Sequence, residues 1–255
     1  MTYVQKLFKQ LGDCTYQLDI REGHRNRLTI TAPVGRLLEY WGVPVGDKHL
    51  HPEYRLPLAI RSGTKETKQA YLTEVIPEDG FFVNRAGIQK FGIKRAQILD
   101  AGDKNQMYDF QPKLTPQHKN LIQQYGTQRT HTIRDDKPRQ VTTLTKGQLR
   151  KISKNAKKPN DQRIAKQLQS IIKDNPCQLL QDEIQIAQSL GIQMTSIFKE
   201  LKLHTSGRVS AIWEAYTKRE LDTFQWAQLA PPASNPKFES VKKWLQSHLK
   251  LTKEP

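Results

Sequence analysis

Apolar residues recur at helical spacing at Val4, Leu7, Phe8 and Leu11, with Gly12 as a stop. Alternating strands are predicted at 14–21 and 25–31 around Gly23, then a helix over 37–41. The same order returns near the C-terminus. A helix carries Ile184, Ala187 and Leu190 up to Gly191, strands are expected near 195–204 and 208–217 around Gly207, and a helix follows over 221–226. Each hairpin alternates an apolar face (Leu28, Ile30; Val209, Ala211, Trp213) with a polar one (Arg25, Arg27, Thr29, Thr31; Arg208, Ser210, Glu214). Such a sheet has one side on a core and the other facing solvent or a ligand.

Between the two copies, Arg55 to Ile60 lead into a helix capped by Ser62 or Thr64 and running through Ala70, Tyr71, Leu72 and Val75. Pro77 is expected to end or kink it, and Glu78, Asp79 and Gly80 follow. Strand character then extends over 81–98, punctuated by Gly87 and Gly92, and a last helix is expected over 238–249. From residue 61 onward the chain therefore reads as one complete unit: helix, hairpin, insertion, helix, hairpin, helix. Residues 1–60 match only the latter half of such a unit. The division that results is 1–60 as a partial first repeat, 61–110 as a helix with its strands, 111–176 as an insertion, and 177–255 as the second half of the full repeat. The fold class is α+β, mixing helices with antiparallel sheet.

Charge sharpens this division. The 255 residues hold 41 Lys and Arg against 25 Asp and Glu, a net +16 that points to a polyanionic partner. Residues 1–110 carry +3, residues 111–176 carry +11, and residues 177–255 carry +2. The insertion is thus the basic part, and with Pro112, Pro116, Pro138, Pro159 and Pro176 interrupting it, short helices on basic linkers are expected there. No apolar run approaches the roughly 20 residues of a membrane span, so an intracellular protein, cytoplasmic or organellar, without a membrane partner is expected. Cys14 and Cys177 stand far apart, and His24, His49 and His51 lack accompanying acids or cysteines, so neither a disulfide framework nor a zinc site is indicated.

The nonapeptide Leu72-Thr73-Glu74-Val75-Ile76-Pro77-Glu78-Asp79-Gly80 resembles the motif of the LAGLIDADG homing endonucleases at Leu72, Ile76, Asp79 and Gly80, with Val75 a conservative match. The lead-in Gly42-Val43-Pro44-Val45-Gly46-Asp47-Lys48 and the Leu-Pro-x-x-Ile stretch from Leu56 look like those of archaeal and intein-associated members. This resemblance implies a saddle of helices and antiparallel sheet carrying a basic insertion, and Mg²⁺-dependent, site-specific cutting of double-stranded DNA. It assigns Asp79, followed by Gly80, to the metal, and makes Lys90 or Lys94 the basic residue beside it. The strands after the motif would bring Arg85, Gln89, Lys90, Lys94 and Arg95 to DNA, joined by Arg25, Arg27 and Arg208 on the polar hairpin faces. An acid at a helix end before a turn-permitting glycine suits the role physically, because it fixes a hard oxygen donor between helix and sheet. Glu74 stands where the family packs small residues, and Pro77 where it carries another acid. With one motif in the chain, a homodimer, a fragment of a two-motif protein and a descendant that binds without cutting are all open.

Two alternatives use the same residues. The stretch from Glu183 to Gly191 followed by 195–201 has the form of a helix-turn-helix with residues 202–217 as a wing, which predicts a non-catalytic DNA-binding regulator. A basic sheet and insertion also suit an RNA-binding intron maturase.

Overall fold

A computed structural model describes residues 16–19, 27–30, 32–40, 54–85, 88–104, 110–132 and 138–229. The helices expected over 4–12 and 238–249, and Arg25, lie outside the described residues, as do Cys14, His24, His49, His51 and the 42–48 stretch. In the first copy, β1 (Tyr16–Asp19) and β2 (Arg27–Ile30) pair antiparallel with Tyr16 opposite Ile30, and α1 (Ala32–Tyr40) follows.

The full unit begins with a helical turn at Leu58–Arg61 and α2 (Lys65–Asp79), whose start is marked by the Thr64 hydroxyl accepting from the Thr67 amide at 3.3 Å. Helix α2 passes through Pro77, which was expected to end or kink it. A proline in a final turn forfeits only one backbone hydrogen bond, and the pairing of Gly80 with Ile93 fixes where strand begins. Next come β3 (Gly80–Arg85), β4 (Ile88–Asp100), α3 (Pro116–Tyr125), β5 (Thr127–Thr132), β6 (Pro138–Thr145), α4 (Lys146–Asn155), α5 (Pro159–Asp174), α6 (Gln178–Ser189), β7 (Met194–His204), β8 (Val209–Thr217) and α7 (Glu220–Leu229).

The strands from β3 to β8 form one antiparallel sheet in the order β3-β4-β8-β7-β6-β5. Hairpins β3-β4 and β7-β8 meet along β4 and β8. The +11 segment is therefore not a set of helices on linkers: its hairpin β5-β6 extends the sheet beyond β7, with Thr127-Gln128-Arg129-Thr130 and Val141-Thr142-Thr143-Leu144 supplying the β-branched residues a strand favours. Its helices contribute Leu121, Ile122, Leu149, Ile164 and Leu168 to the main core. This segment is structural as well as basic, so excising it would strip core and sheet together.

The core lies on one face of the sheet, where Phe91, Ile93, Leu201, Ala211, Trp213 and Ala215 meet Leu72, Leu180, Ile184, Ala187 and Trp226 from the helices. Gly207, at φ +73°, makes the β7-β8 turn, and Gly102, at φ +61°, packs against it so closely that an added Cβ would lie 2.1 Å from the Ser206 carbonyl oxygen. Gly92 does not punctuate the strand as expected. It lies within β4, where the Phe81 ring crosses it, and an added Cβ would come 2.4 Å from that ring. The second helix of a helix-turn-helix, expected over 195–201, is instead part of β7. Thr195 and Ile197 alternate with Ser196 and Phe198, and this period of two wins over the Gly191 turn that precedes it. Among the described residues no helix is long and apolar enough to cross a membrane.

Candidate nucleic-acid interface

Strand alternation sorts every charged residue of the sheet to one of two faces. Cross-strand partners share a face, so the register places Lys94 with Glu214 and Ala96 with Ile212 opposite to the core, while Arg95 pairs with Trp213 and Gln97 with Ala211 on the core side. By the same count Phe81, Val83, Ile88, Lys90, Thr195, Ile197, Glu200, Lys202 and Tyr216 belong to the face away from the helices. Ile98 also lies there, and Phe110 packs on it with Ala101, covering one end.

This open face is neither flat nor uniformly basic. Phe81, Ile88, Lys90, Thr195, Lys199 and Glu214 are among the residues lining a concavity of about 790 Å³. Glu214 is the hub of its polar groups: Lys199 Nζ lies 3.1 Å and Lys94 Nζ 3.9 Å from its carboxylate, and the Tyr216 hydroxyl donates to it. Burial, together with that hydrogen bond and the carboxylate's charge, raises the Tyr216 phenol well above its ordinary range, so Tyr216 is a donor at any ordinary pH. Lys202 Nζ stands 3.6 Å from Glu200. Glu200 is 8% and Glu214 6% exposed although they face away from the helices, and each is paired with a lysine of this face. Bulges at Ile98/Asp100 and Phe198/Glu200 bend the strands and bring Lys199 to this face beside Glu200.

The predicted contact residues separate accordingly. Lys90 and Lys94 are on the open face. Arg95 is not: its guanidinium donates to both Glu183 carboxylate oxygens, at 2.9 and 3.1 Å from Nε, and Tyr71 donates to the same carboxylate at 2.8 Å. Glu183 has no exposed surface, so Arg95 neutralises a buried charge beneath the sheet. Gln89 shares the parity of Phe91 and also belongs to the helix-side face. Arg208 is half-buried at the β7-β8 turn, its carbonyl accepting from the His204 amide at 2.9 Å. Ten residues separate Lys90 from Asp100, the strand position beside that turn, so Arg208 is about 30 Å from Lys90 along the sheet. Arg85 is opposite Ile88 at the β3-β4 turn, a register position on the open face with Lys90, whereas Arg27 is opposite Asp19 in the separate two-stranded sheet. These two residues, in backbone position, are not brought together by any shared strand pairing.

Asp79 is the last residue of α2, and Gly80 is the buried first residue of the edge strand β3. Because Gly80 pairs with Ile93, Lys94 lies one position past this junction, whereas Lys90 pairs with Val83, three residues along β3. Among the described residues no three His, Cys, Asp or Glu groups converge on a metal-binding cluster. Cys177 is buried and its thiol is pushed up to about 11 by desolvation, which makes it inert packing. The open-face residues missed in the sequence are Lys199, Lys202 and Glu200. The available signal was the alternation along β7, which becomes ambiguous at the bulge.

No family model, no curated protein and no solved structure matches this chain.

Proposed function

We propose that the open face of the six-stranded sheet binds double-stranded DNA in the manner of a LAGLIDADG-type homing endonuclease, and that Asp79 is the carboxylate for Mg²⁺-dependent strand cleavage. The observation that carries this reading is the junction of α2 with β3: the motif's Asp79 and Gly80 end a helix at the edge of a sheet whose other face is lined by Lys90, Lys94, Lys199 and Lys202. The strand order β3-β4-β8-β7 is supportive too, since two helix-hairpin units meeting at their inner strands give one continuous platform. Strand β4 has 13 residues and spans about 40 Å, a little more than one turn of B-DNA.

Lysines on such a platform neutralise phosphates and release counterions, which supplies affinity with little sequence information. Asp79 is a hard oxygen donor of the kind Mg²⁺ takes, but one carboxylate cannot complete a shell of about six oxygens. The proposal therefore includes two copies of the chain, each contributing Asp79, with water and phosphate oxygens as the remaining ligands. Bound there, the ion would neutralise charge at the scissile phosphate and activate water. An intracellular location goes with this reading.

Incubation with a randomised plasmid library and Mg²⁺, followed by sequencing of the cut ends, tests it. The wild type is expected to cut at a defined site and to behave as a dimer on DNA. Asp79→Asn is expected to lose cutting while its duplex affinity stays within about twofold, because the phosphate contacts are untouched. Tight duplex binding without any cutting by the wild type would reduce the protein to a binder, and loss of binding in Asp79→Asn would make that residue structural.

A further inference from the structure

On the helix side, between α4, α5 and β7, lies a second concavity, of about 750 Å³. Lys146, Arg150 and Lys154 enter it from successive turns of α4, and Lys173 from the last turn of α5. The residues lining it include no Asp or Glu, and none of these four cations has a carboxylate within 4 Å among the described residues. Four unneutralised cations around one cleft repel one another, an arrangement that an anion relieves. The floor is apolar and aromatic: Phe198 and Trp213 meet edge to face with centroids 5.7 Å apart.

Trp213 supplies an independent observation. The residue is 7% exposed, and its indole N–H is buried without an acceptor among the described residues. A buried indole N–H ordinarily finds a partner, and leaving it unmade costs free energy that a ligand acceptor recovers once a small rotation of the ring opens the nitrogen to the cleft. The volume falls in the range of small-molecule sites. A cationic rim, an aromatic floor and one buried donor together match a ligand that is anionic at one end and flat and weakly polar at the other.

We infer that this cleft binds a nucleotide, its phosphate held by Lys146, Arg150, Lys154 and Lys173, and its base lying against Phe198 and Trp213 with an acceptor for the Trp213 N–H. The nucleotide is either free or an unstacked residue of a single strand, and the chemistry is common to both. The site is centred on the helix side of the sheet, reaching the open face only at Ile197 of β7, and does not depend on Asp79.

Calorimetric titration of the full chain with ATP, inorganic tripolyphosphate, adenosine and a ten-residue oligothymidylate tests the inference. ATP or the oligonucleotide is expected to bind at least tenfold more tightly than tripolyphosphate or adenosine, since each of these has half of the ligand's chemistry. Binding of ATP equal to that of the oligonucleotide identifies a free nucleotide as the source, and a preference for the oligonucleotide identifies a strand. The surface variant R150E/K154E, which leaves the core intact, is expected to weaken binding about tenfold or more, and Trp213→Phe, which keeps a ring but removes the N–H, severalfold. Tripolyphosphate binding as well as ATP, unchanged affinity in R150E/K154E, or no binding of any of the four probes would overturn the site. None of these results bears on cutting by Asp79.

Discussion

Lys94 and Arg95 are adjacent in the chain, carry the same charge, and live in opposite environments. Lys94 extends over the open face with its side chain 47% exposed and shares Glu214 with Lys199, whereas Arg95 points beneath the sheet, 11% exposed, onto a fully buried Glu183. The difference teaches that cationic residues on a strand cannot be pooled into one binding surface. One residue of translation moves a charge from a half-exposed place on the open face to one that neutralises a buried carboxylate. The second ion pair of the helix side makes the same point: Asp182, also fully buried, takes Arg55 and accepts from the Leu56 amide at 3.0 Å, which ties the segment before α2 to α6.

The sharpest way to break the contrast is Arg95→Ala. It strips the cation from buried Glu183, whose remaining partners include the Tyr71 hydroxyl, and is expected to cost about 3–5 kcal/mol of stability by urea unfolding. Duplex affinity of the folded fraction should be unchanged. Replacing both partners, as in R95M/E183L, should recover much of that loss, because the desolvation cost disappears with the charges. A stable Arg95→Ala protein with weakened DNA binding would show that the two faces have been assigned the wrong way round.

A smaller effect separates the helix side by its pH response. Asp222, with no exposed side-chain surface, accepts from the amides of Gln193 and Arg219, each at 2.9 Å, and from the Arg219 guanidinium. The hydrogen bonds from Arg219, which outweigh the cost of burial, hold the Asp222 carboxyl down at about 2. The folded state thus binds this proton less readily than the unfolded chain does. The stabilisation is complete above about pH 5 and is lost as pH falls through the ordinary carboxylate range to about 2. Because the Arg219 side chain is 59% exposed, solvent screening limits the loss to about 1–2 kcal/mol. Asp222→Asn should lower stability at pH 7 by that amount and flatten its dependence between pH 5 and 2. An unchanged slope would show that other carboxylates govern the acid limb.

Much of this architecture was legible because it is local. Alternation about Gly207 located β7 and β8, Thr64 marked the start of α2, and the repeated helix-hairpin-helix order anticipated the succession of elements. The place of the basic segment was not legible. Its prolines suggested interruption, yet Pro116 and Pro159 stand at the first positions of α3 and α5, where a missing N–H costs nothing, and Pro138 is the first residue of β6. The candidate interface was half legible for a related reason. Period two says that Lys94 and Arg95 diverge, but it does not say which one meets the helices. That depends on Glu183, 88 residues away from Arg95, and no local pattern announces such a partner.

The smallest expected effects test the open face by sign. Lys94→Ala removes a charge from a half-exposed side chain, so stability should stay within about 0.5 kcal/mol; if the open face binds duplex DNA as proposed, it also removes one phosphate neutralisation. The slope of log affinity against log salt should become shallower by about one, with affinity several-fold weaker at moderate salt. Glu214→Gln acts oppositely. It releases Lys94 and Lys199 from their shared carboxylate and removes repulsion from the phosphates, so affinity should rise several-fold and the slope should steepen. The loss of two ion pairs with half-exposed lysines costs little folding energy. Opposite shifts from two residues that touch each other locate the duplex on this face more firmly than either loss alone. Weaker binding in both variants would instead mean that Glu214 holds Lys94 and Lys199 in the geometry DNA requires, and then K94A/E214Q should lose less than the sum of the two single losses.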